Sequence, residues 1–279
     1  MKTIGLVDYF IDEWHSNNYI PWIEELCKEK SLDFKVTYAW AELDKPEGKR
    51  STEEWCGENR IRKAESIDEL CRKCDYIMIL APADPEKHLE YVKKVFPYGK
   101  TTYVDKTFAP DAMTAGEIFE LGAKYGTPFF SSSALRYATE LDGIEKPVFA
   151  ATTGGGRSLE EYIIHQAEML VRIMDGKASA LKVEEAGEER LCSIRYADGR
   201  EAQMLYGPTR GFSVKAELRD GRTVETDITS DYFKLLLGDI LTFFVSGKPP
   251  FPPDETMEVM CIREAAVKGL TRPGEWMEL

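Results

Sequence analysis

The feature that most limits what this chain can become is a regular exchange of periods through its first half. Short apolar runs suited to strands alternate with segments whose apolar residues recur at helical spacing. The opening "IGLVDYF" begins with a buried-strand pattern, and "YIPWIEELCKEK" follows with a helical stripe at Ile20, Ile23, Leu26 and Cys27. "FKVTYAW" is β-branched and aromatic, and "SIDELCRKC" starts on a serine cap. "DYIMILAP" is a continuous apolar run, the signature of a strand buried on both faces. "PEKHLEYVKKVF" is helical, "GKTTYVDKT" is strand, and "APDAMTAGEIFELGAKYG" is a helix with Pro110 and Asp111 at its start and Gly126 at its end. "TPFFSSSAL" supplies one more strand. This alternation predicts βαβ units and a doubly wound parallel sheet over residues 1–135. The long polar stretch "AELDKPEGKRSTEEWCGENRIRKAES" reads as a surface excursion or a lid.

Residues 136–279 change character. "SLEEYIIHQAEMLVRIMDG" is a long helix stopped by Gly176, and the turns Asp198-Gly199 and Asp220-Gly221 each sit between strand patterns, a strong hairpin signal. The helical segments "SDYFKLLLGDILTFFVSG" and "PDETMEVMCIREAAVKGL" end the chain. An α+β second domain follows, with a mainly antiparallel open sheet covered by helices.

Charge narrows the partners. With 49 acids against 36 bases the formal net charge is −13, and no basic stripe offsets it, so a nucleic acid or an anionic membrane is a poor partner and a small molecule a better one. No run of eighteen apolar residues and no signal-peptide zoning is present, and the six scattered cysteines suit reduced thiols, so a cytoplasmic location is expected. The Cys71-x-x-Cys74 spacing lacks a second pair or a neighbouring histidine, and reads as structural; no metal site is expected.

Three histidines confine the chemistry. Glu161 and His165 are four apart in the long helix and share a face, where a carboxylate can orient an imidazole for general acid–base work; a surface ion pair is the alternative. Lys106 follows "TTYV" at the carboxyl end of a strand, where open α/β sheets bind ligands, though an ordinary solvated lysine has the same spacing. His88 enters a helix after the proline turn of "LAPADPEKH", and packs there or touches a ligand. His15 lies near the first turn and is a surface residue or a cleft residue. Arg136 and Tyr137, just past the last strand of the first domain, are candidates for substrate hydroxyls, with boundary packing as the alternative.

Three stretches together resemble the glucose–fructose oxidoreductase and inositol dehydrogenase (Gfo/Idh/MocA) family. "DYIMILAPADPEKHLEYVKKVFPYGKTTYVDKT" is similar to its strand, proline turn and histidine helix leading to a Glu-Lys-Pro signature, here Asp105-Lys106-Thr107. "GGGRSLEEYIIHQAEMLVRIMDG" is similar to its glycine run and Asp-x₃-His helix, here Glu161 and His165, and the last two helical segments resemble its C-terminal pair. The resemblance implies a Rossmann-type dinucleotide-binding domain followed by an α/β substrate and oligomerisation domain, assembled as a homodimer or homotetramer. It implies NAD- or NADP-dependent oxidation of a sugar, polyol or related alcohol. Lys106 and His165 would handle the hydroxyl proton and Glu161 would orient His165. Asp8, Phe10, Ala81, Pro82, His88 and Asp105 would line the cofactor, and the ring that takes the hydride would lie between the domains.

The departures are as specific as the matches. Asp8, Phe10 and Glu13 stand where the family has G-x-G-x-x-G, the glycines that permit a tight turn and close approach to a pyrophosphate. A like-charge contact at ~4 Å costs about 4 kcal/mol at an effective dielectric near 20. Micromolar binding is worth about 8 kcal/mol, so two such contacts would consume it. An acid for the ribose is sought in Glu42 or Asp44. The altered turn therefore leaves two other readings open: a non-catalytic chain that binds a sugar-like ligand or a protein partner, and an acid–base enzyme without a redox step.

Overall fold

A computed structural model describes residues 1–279, which form two compact units: Met1–Ser132 with Lys234–Pro252, and Ser133–Phe233 with Pro253–Leu279. The first unit contains β1 (Lys2–Asp8), α1 (Trp14–Glu29), β2 (Phe34–Ala41), α2 (Thr52–Asn59), β3 (Arg62–Lys63), α3 (Ile67–Lys73), β4 (Tyr76–Ile79), α4 (Glu86–Val95), β5 (Thr102–Val104), α5 (Ala112–Tyr125) and β6 (Phe129–Ser131). All six strands are parallel in the order β3-β2-β1-β4-β5-β6, so the direction of winding reverses between β1 and β4. That reversal opens a crevice at the carboxyl ends of these two strands, the ligand position of open α/β sheets.

The core explains the apolar runs. Ile4, Leu6 and Val7 of β1 and Ile77, Met78 and Ile79 of β4 are wholly inaccessible, as strands covered on both faces require. Gly5 is there for α3: a Cβ at that position would lie 2.4 Å from Leu70 Cδ2 and 3.0 Å from Cys74 Sγ. Cys71 and Cys74 are thus packing residues, and burial pushes their thiols up to about 12 and about 11. The polar stretch after β2 carries α2, held by a capping box between Ser51 and Glu54.

The second unit contains β7 (Phe149–Gly154), α6 (Leu159–Met174), β8 (Ala178–Ala186), β9 (Glu189–Tyr196), β10 (Glu201–Tyr206), β11 (Ser213–Glu217) and β12 (Thr223–Asp227), and further on α8 (Pro253–Gly269) and β13 (Trp276–Glu278). Its seven strands run β12-β11-β7-β10-β9-β8-β13, antiparallel except for the β7–β10 pair. Both Asp-Gly turns form, with Gly199 at φ 86° and Gly221 at φ 85°, the left-handed region in which glycine carries no Cβ penalty. Buried and half-exposed residues alternate along β7 and β10. Gln166 of α6 donates to Gly154 O and Leu205 O, and Glu258 of α8 accepts from Ala178 N, which fixes both helices on the buried face.

Between them in sequence, α7 (Tyr232–Ser246) contributes Lys234 onward to the first unit, although sequence order puts it in the second half. Its aromatics decide this. Phe244 stacks on Tyr76 at 4.8 Å between ring centroids, and Phe243 meets Phe130 edge-on at 4.9 Å.

Candidate active site

β1 ends in Asp8, whose carboxylate is 1% exposed and bridges the crevice rather than leaving it open. Oδ1 accepts from Tyr9 N at 2.7 Å and from Ala81 N at 3.0 Å, joining the ends of β1 and β4, while Oδ2 is buried without a hydrogen-bond partner. Burial, and then the charge of Glu13, push this carboxyl well above the ordinary range. Ala81 takes up the bond with φ 54°.

Glu13 is the N-cap of α1. Its Oε2 accepts from His15 N at 2.8 Å and its Oε1 from Ser16 N at 2.6 Å. These are the amides that a helix N-terminus offers to an anion, and the helix dipole favours a negative charge on them. Here the protein's own carboxylate holds them. Burial raises the Glu13 carboxyl, and His15 and the two amides oppose that rise.

Around the turn the chain is strapped down. Arg50 binds Asp12 through its backbone N at 3.0 Å, Nε at 3.2 Å and Nη2 at 2.6 Å, and these bonds hold the Asp12 carboxyl well below the usual range. Trp55 of α2 donates to Asn17 Oδ1 at 2.7 Å, so the long polar stretch is anchored over the start of α1. Leu43 N donates to Tyr9 O at 2.7 Å, stitching the segment after β2 to the turn. Glu42 accepts from Lys87 at 2.7 Å and from Tyr91 Oη at 2.9 Å, and Asp44 caps Thr52 and meets Lys63, so both candidate ribose acids are already engaged. Phe10 is half-buried with Lys49 Nζ 5.9 Å from its ring centroid. As arranged, the turn does not fit a pyrophosphate: its forward amides are taken and the carboxylates of Asp8 and Glu13 lie in it.

The end of β5 is more hospitable. Asp105, 1% exposed, accepts from Lys106 N at 2.8 Å and Tyr103 Oη at 3.1 Å. Its Oδ2 lies 2.8 Å from His15 Nδ1, an ion-pair contact rather than a straight hydrogen bond. Burial pushes the Asp105 carboxyl up, but His15 and Lys106 outweigh it and the net direction is downward, so it stays ionised. Lys106 Nζ donates to Pro82 O at 3.2 Å, and the Lys106–Thr107 peptide is cis.

His88 packs against the backbone. It is wholly buried, with Nδ1 3.0 Å from Phe108 O and Nε2 2.5 Å from Leu80 O, so both ring nitrogens are spent on backbone carbonyls and burial lowers its pKa. Of the two readings of His88, the contacts are those of the packing one, a structural tie across the end of β4. His15, half-expected at the surface, is instead 7% exposed, stacked on Tyr19 at 5.1 Å and set against Asp105.

In the second unit His165 Nδ1 lies 2.6 Å from Ser133 Oγ. Glu161, expected to orient this ring, pairs with Arg157 instead, four residues back on its other side. The orienting contact is therefore Ser133, 32 residues away in sequence and without a local signal. Arg136 is 6% exposed and held between Glu168, at 3.2 Å, and Glu255. Its guanidinium is engaged with both carboxylates, the contacts expected of the boundary-packing alternative. Tyr137 lies beside it, half-buried on the same 3₁₀ turn. A cavity of 530 Å³ near the end of α6 is lined by Arg136, Lys146, Arg172 and Arg219, but Lys146 and Arg172 are paired with Asp175 and Asp142. No group of three His, Cys, Asp or Glu side chains is arranged to hold a metal ion.

Neither a protein-family model nor a curated protein matches the sequence. Solved structures match over nearly the whole chain. A probable dehydrogenase from Thermotoga maritima superposes with a TM-score of 0.78 at 13% identity, covering 99% of this chain and 98% of its own. Myo-inositol dehydrogenase from Lactobacillus casei, solved with NAD(H) and myo-inositol, gives 0.79 at 10% identity over 100% and 96%. UDP-N-acetylglucosamine 3-dehydrogenase from Acidithiobacillus ferrooxidans gives 0.75 at 11% identity over 96% and 97%. Identities this low speak for the fold, and over both units the fold of this chain is that of the Gfo/Idh/MocA-type dehydrogenases.

Proposed function

We propose that the chain is an NAD(P)-dependent oxidoreductase acting on a sugar, polyol or related alcohol. The observation that carries this is Lys106 at the carboxyl end of β5, next to an ionised Asp105, in a sheet wound β3-β2-β1-β4-β5-β6. The solved inositol dehydrogenase of the same fold, with its NAD(H) and myo-inositol, supports the class of cofactor and substrate. Lys106 in the first unit and His165 in the second are the proposed proton-transfer residues. With Nδ1 fixed against Ser133 Oγ, His165 would exchange a proton through Nε2. The first unit takes the nucleotide role and the second the substrate role.

The same reading extends to assembly and compartment. The half-exposed face of the β7–β10 region supports association into a homodimer or homotetramer, and six free cysteines support a reducing, cytoplasmic setting. The test is a panel of sugars and polyols with NAD and NADP, followed by nicotinamide absorbance. Wild type should turn over at least one compound, and Lys106→Ala should lose about 10²-fold or more in kcat, the scale of a proton-transfer group. Equal rates for the two proteins would remove Lys106 from the mechanism. No turnover across the panel would leave the dehydrogenase fold serving a sugar-like ligand or a protein partner.

A further inference from the structure

We infer that Tyr162 and Phe212 are positioning residues for His165: their rings, seated on the glycine run Gly154–Gly156, hold the imidazole in one orientation against Ser133. This rests on the proton-transfer role proposed for His165, and all the residues involved belong to the second unit. Tyr162, one turn earlier on α6, and Phe212, in the connection from β10 to β11, each meet the imidazole close to edge-on, at 5.6 Å between ring centroids and interplanar angles of 62° and 78°. Aromatic rings favour this arrangement at this spacing. The contact of Nδ1 with Ser133 Oγ at 2.6 Å fixes one atom of the imidazole, and the two rings fix its plane. All three side chains are half-buried, unlike core rings such as Phe243 and Phe244, which are closed off from solvent.

The glycines make room for both rings. A Cβ on Gly154 would lie 2.4 Å from Cδ1 and Cε1 of Phe212, and one on Gly156 would lie 2.3 Å from Cδ1 of Tyr162. Gly155, between them, faces backbone instead, with its Cβ position 1.8 Å from Gly207 O. The backbone that carries each ring is pinned. Ile228 N donates to Phe212 O at 2.9 Å, and Thr153 Oγ1 donates to Gly211 O at 2.8 Å. Tyr162 N donates to Ser158 O at 3.1 Å, and the Tyr206 hydroxyl donates to Gly156 O at 2.7 Å, fixing the glycine on which Tyr162 rests. Glu161, four residues before His165, pairs with Arg157, so Ser133 and the two rings take the orienting role that this carboxylate would otherwise have. Catalytic geometry is steep in rate: a misplacement of about 1 Å can cost about 10²-fold. Loosening the imidazole should therefore lower kcat and leave KM near its wild-type value.

The experiment compares wild type with Phe212→Leu, Tyr162→Leu, Gly154→Ala, the double variant Gly154→Ala with Phe212→Leu, and Phe212→Tyr. Leucine keeps apolar volume without a ring, and Gly154 has no left-handed φ, so its added methyl acts by crowding Phe212. One readout is turnover of the sugar or polyol found active with NAD or NADP. The other is the set of imidazole nitrogen shifts, assigned with His165→Gln and read at a pH above the imidazole range without substrate or cofactor; these distinguish the two neutral tautomers. Wild type and Phe212→Tyr should show one tautomer. Phe212→Leu, Tyr162→Leu and Gly154→Ala should show a mixture and lose about tenfold to 10²-fold in kcat with KM little changed. The double variant should lose no more than Phe212→Leu, because the methyl acts through the ring. With an active wild type, a mixture at unchanged kcat, a lower kcat with one tautomer retained, or no change in either would overturn the positioning role and leave the proposed function standing. An inactive wild type would overturn the proposed function, and the nitrogen shifts would then decide alone. One tautomer in the leucine variants, each folded by circular dichroism, would overturn the hold on His165, and a mixture would sustain it.

Discussion

Replacing Arg136 with methionine should cost about 3–5 kcal/mol of stability, the usual result of removing one partner from a buried ion pair. The geometry explains why the whole of that cost falls on Glu168. This carboxylate is 4% exposed and takes Arg136 Nη1 at 3.2 Å and Ser133 N at 2.9 Å, so the substitution removes the guanidinium that faces it. Glu255, the other partner, is one-third exposed on its side chain and can recover water, so it adds little. Burial already pushes the Glu168 carboxyl upward against the pull of Arg136, and the substitution removes the pull. The Glu168 carboxyl of the folded variant, raised by burial, then holds its proton more tightly than the unfolded chain does over the pH range above the ordinary value of about 4.3. Its stability falls as pH rises through that window, and the deficit against wild type shrinks as pH falls toward the lower end. Urea unfolding at pH 5 and pH 8 measures both effects, and the double variant Arg136→Met with Glu168→Met should recover most of the loss. A loss below about 1 kcal/mol, or a double variant no more stable than the single one, would refute the argument that Glu168 depends on Arg136 for its stability in the interior.

Two other predictions concern the first unit. Gly5→Ala should lose about 1–3 kcal/mol in urea unfolding through overpacking, because the new methyl meets Leu70 at 2.4 Å, and Gly5→Ala with Leu70→Val should recover part of it; an unchanged midpoint would mean that α3 is free to shift. Thiol reagents should label Cys27 and Cys261, which are half-exposed, well before Cys71, Cys74, Cys56 and Cys192; rapid labelling of Cys71 or Cys74 in the folded protein would contradict their packing role.

The parallel sheet was legible because burial on both faces leaves an unbroken apolar run such as "DYIMILAP", and both hairpins were legible because Asp-Gly marks a turn by its backbone requirement. β8 escaped because Lys182, Glu184 and Glu185 alternate with Leu181 and Val183, so half its residues look like a charged loop. β3 has two residues and β13 three, too few for any period. α2 had a signal, Ser51 with Glu54 three residues on, inside a segment whose polarity suggested a loop. The place of α7 could not follow from order along the chain, because the stack of Phe244 on Tyr76 joins residues far apart in sequence.

The site divides in the same way. Lys106 was visible from its position after a strand, and the loss of the glycine turn was visible from Asp8, Phe10 and Glu13. That Glu13 would fold back onto the His15 and Ser16 amides is a matter of side-chain conformation, and glutamate is not among the favoured N-cap residues. The meeting of His15 with Asp105 spans 90 residues, and the Ser133–His165 bond joins a loop to a helix; neither leaves a spacing to read. Glu161 shows the limit of spacing arguments: it lies four residues from His165 on the helix but also four from Arg157, just ahead of the helix, and pairs with that guanidinium.

The most direct test of the central claim is whether a nicotinamide dinucleotide binds at all. Wild-type protein at low salt should show saturable binding of NADH or NADPH. An absence of binding up to millimolar dinucleotide would contradict the oxidoreductase assignment and leave the fold in use without its cofactor.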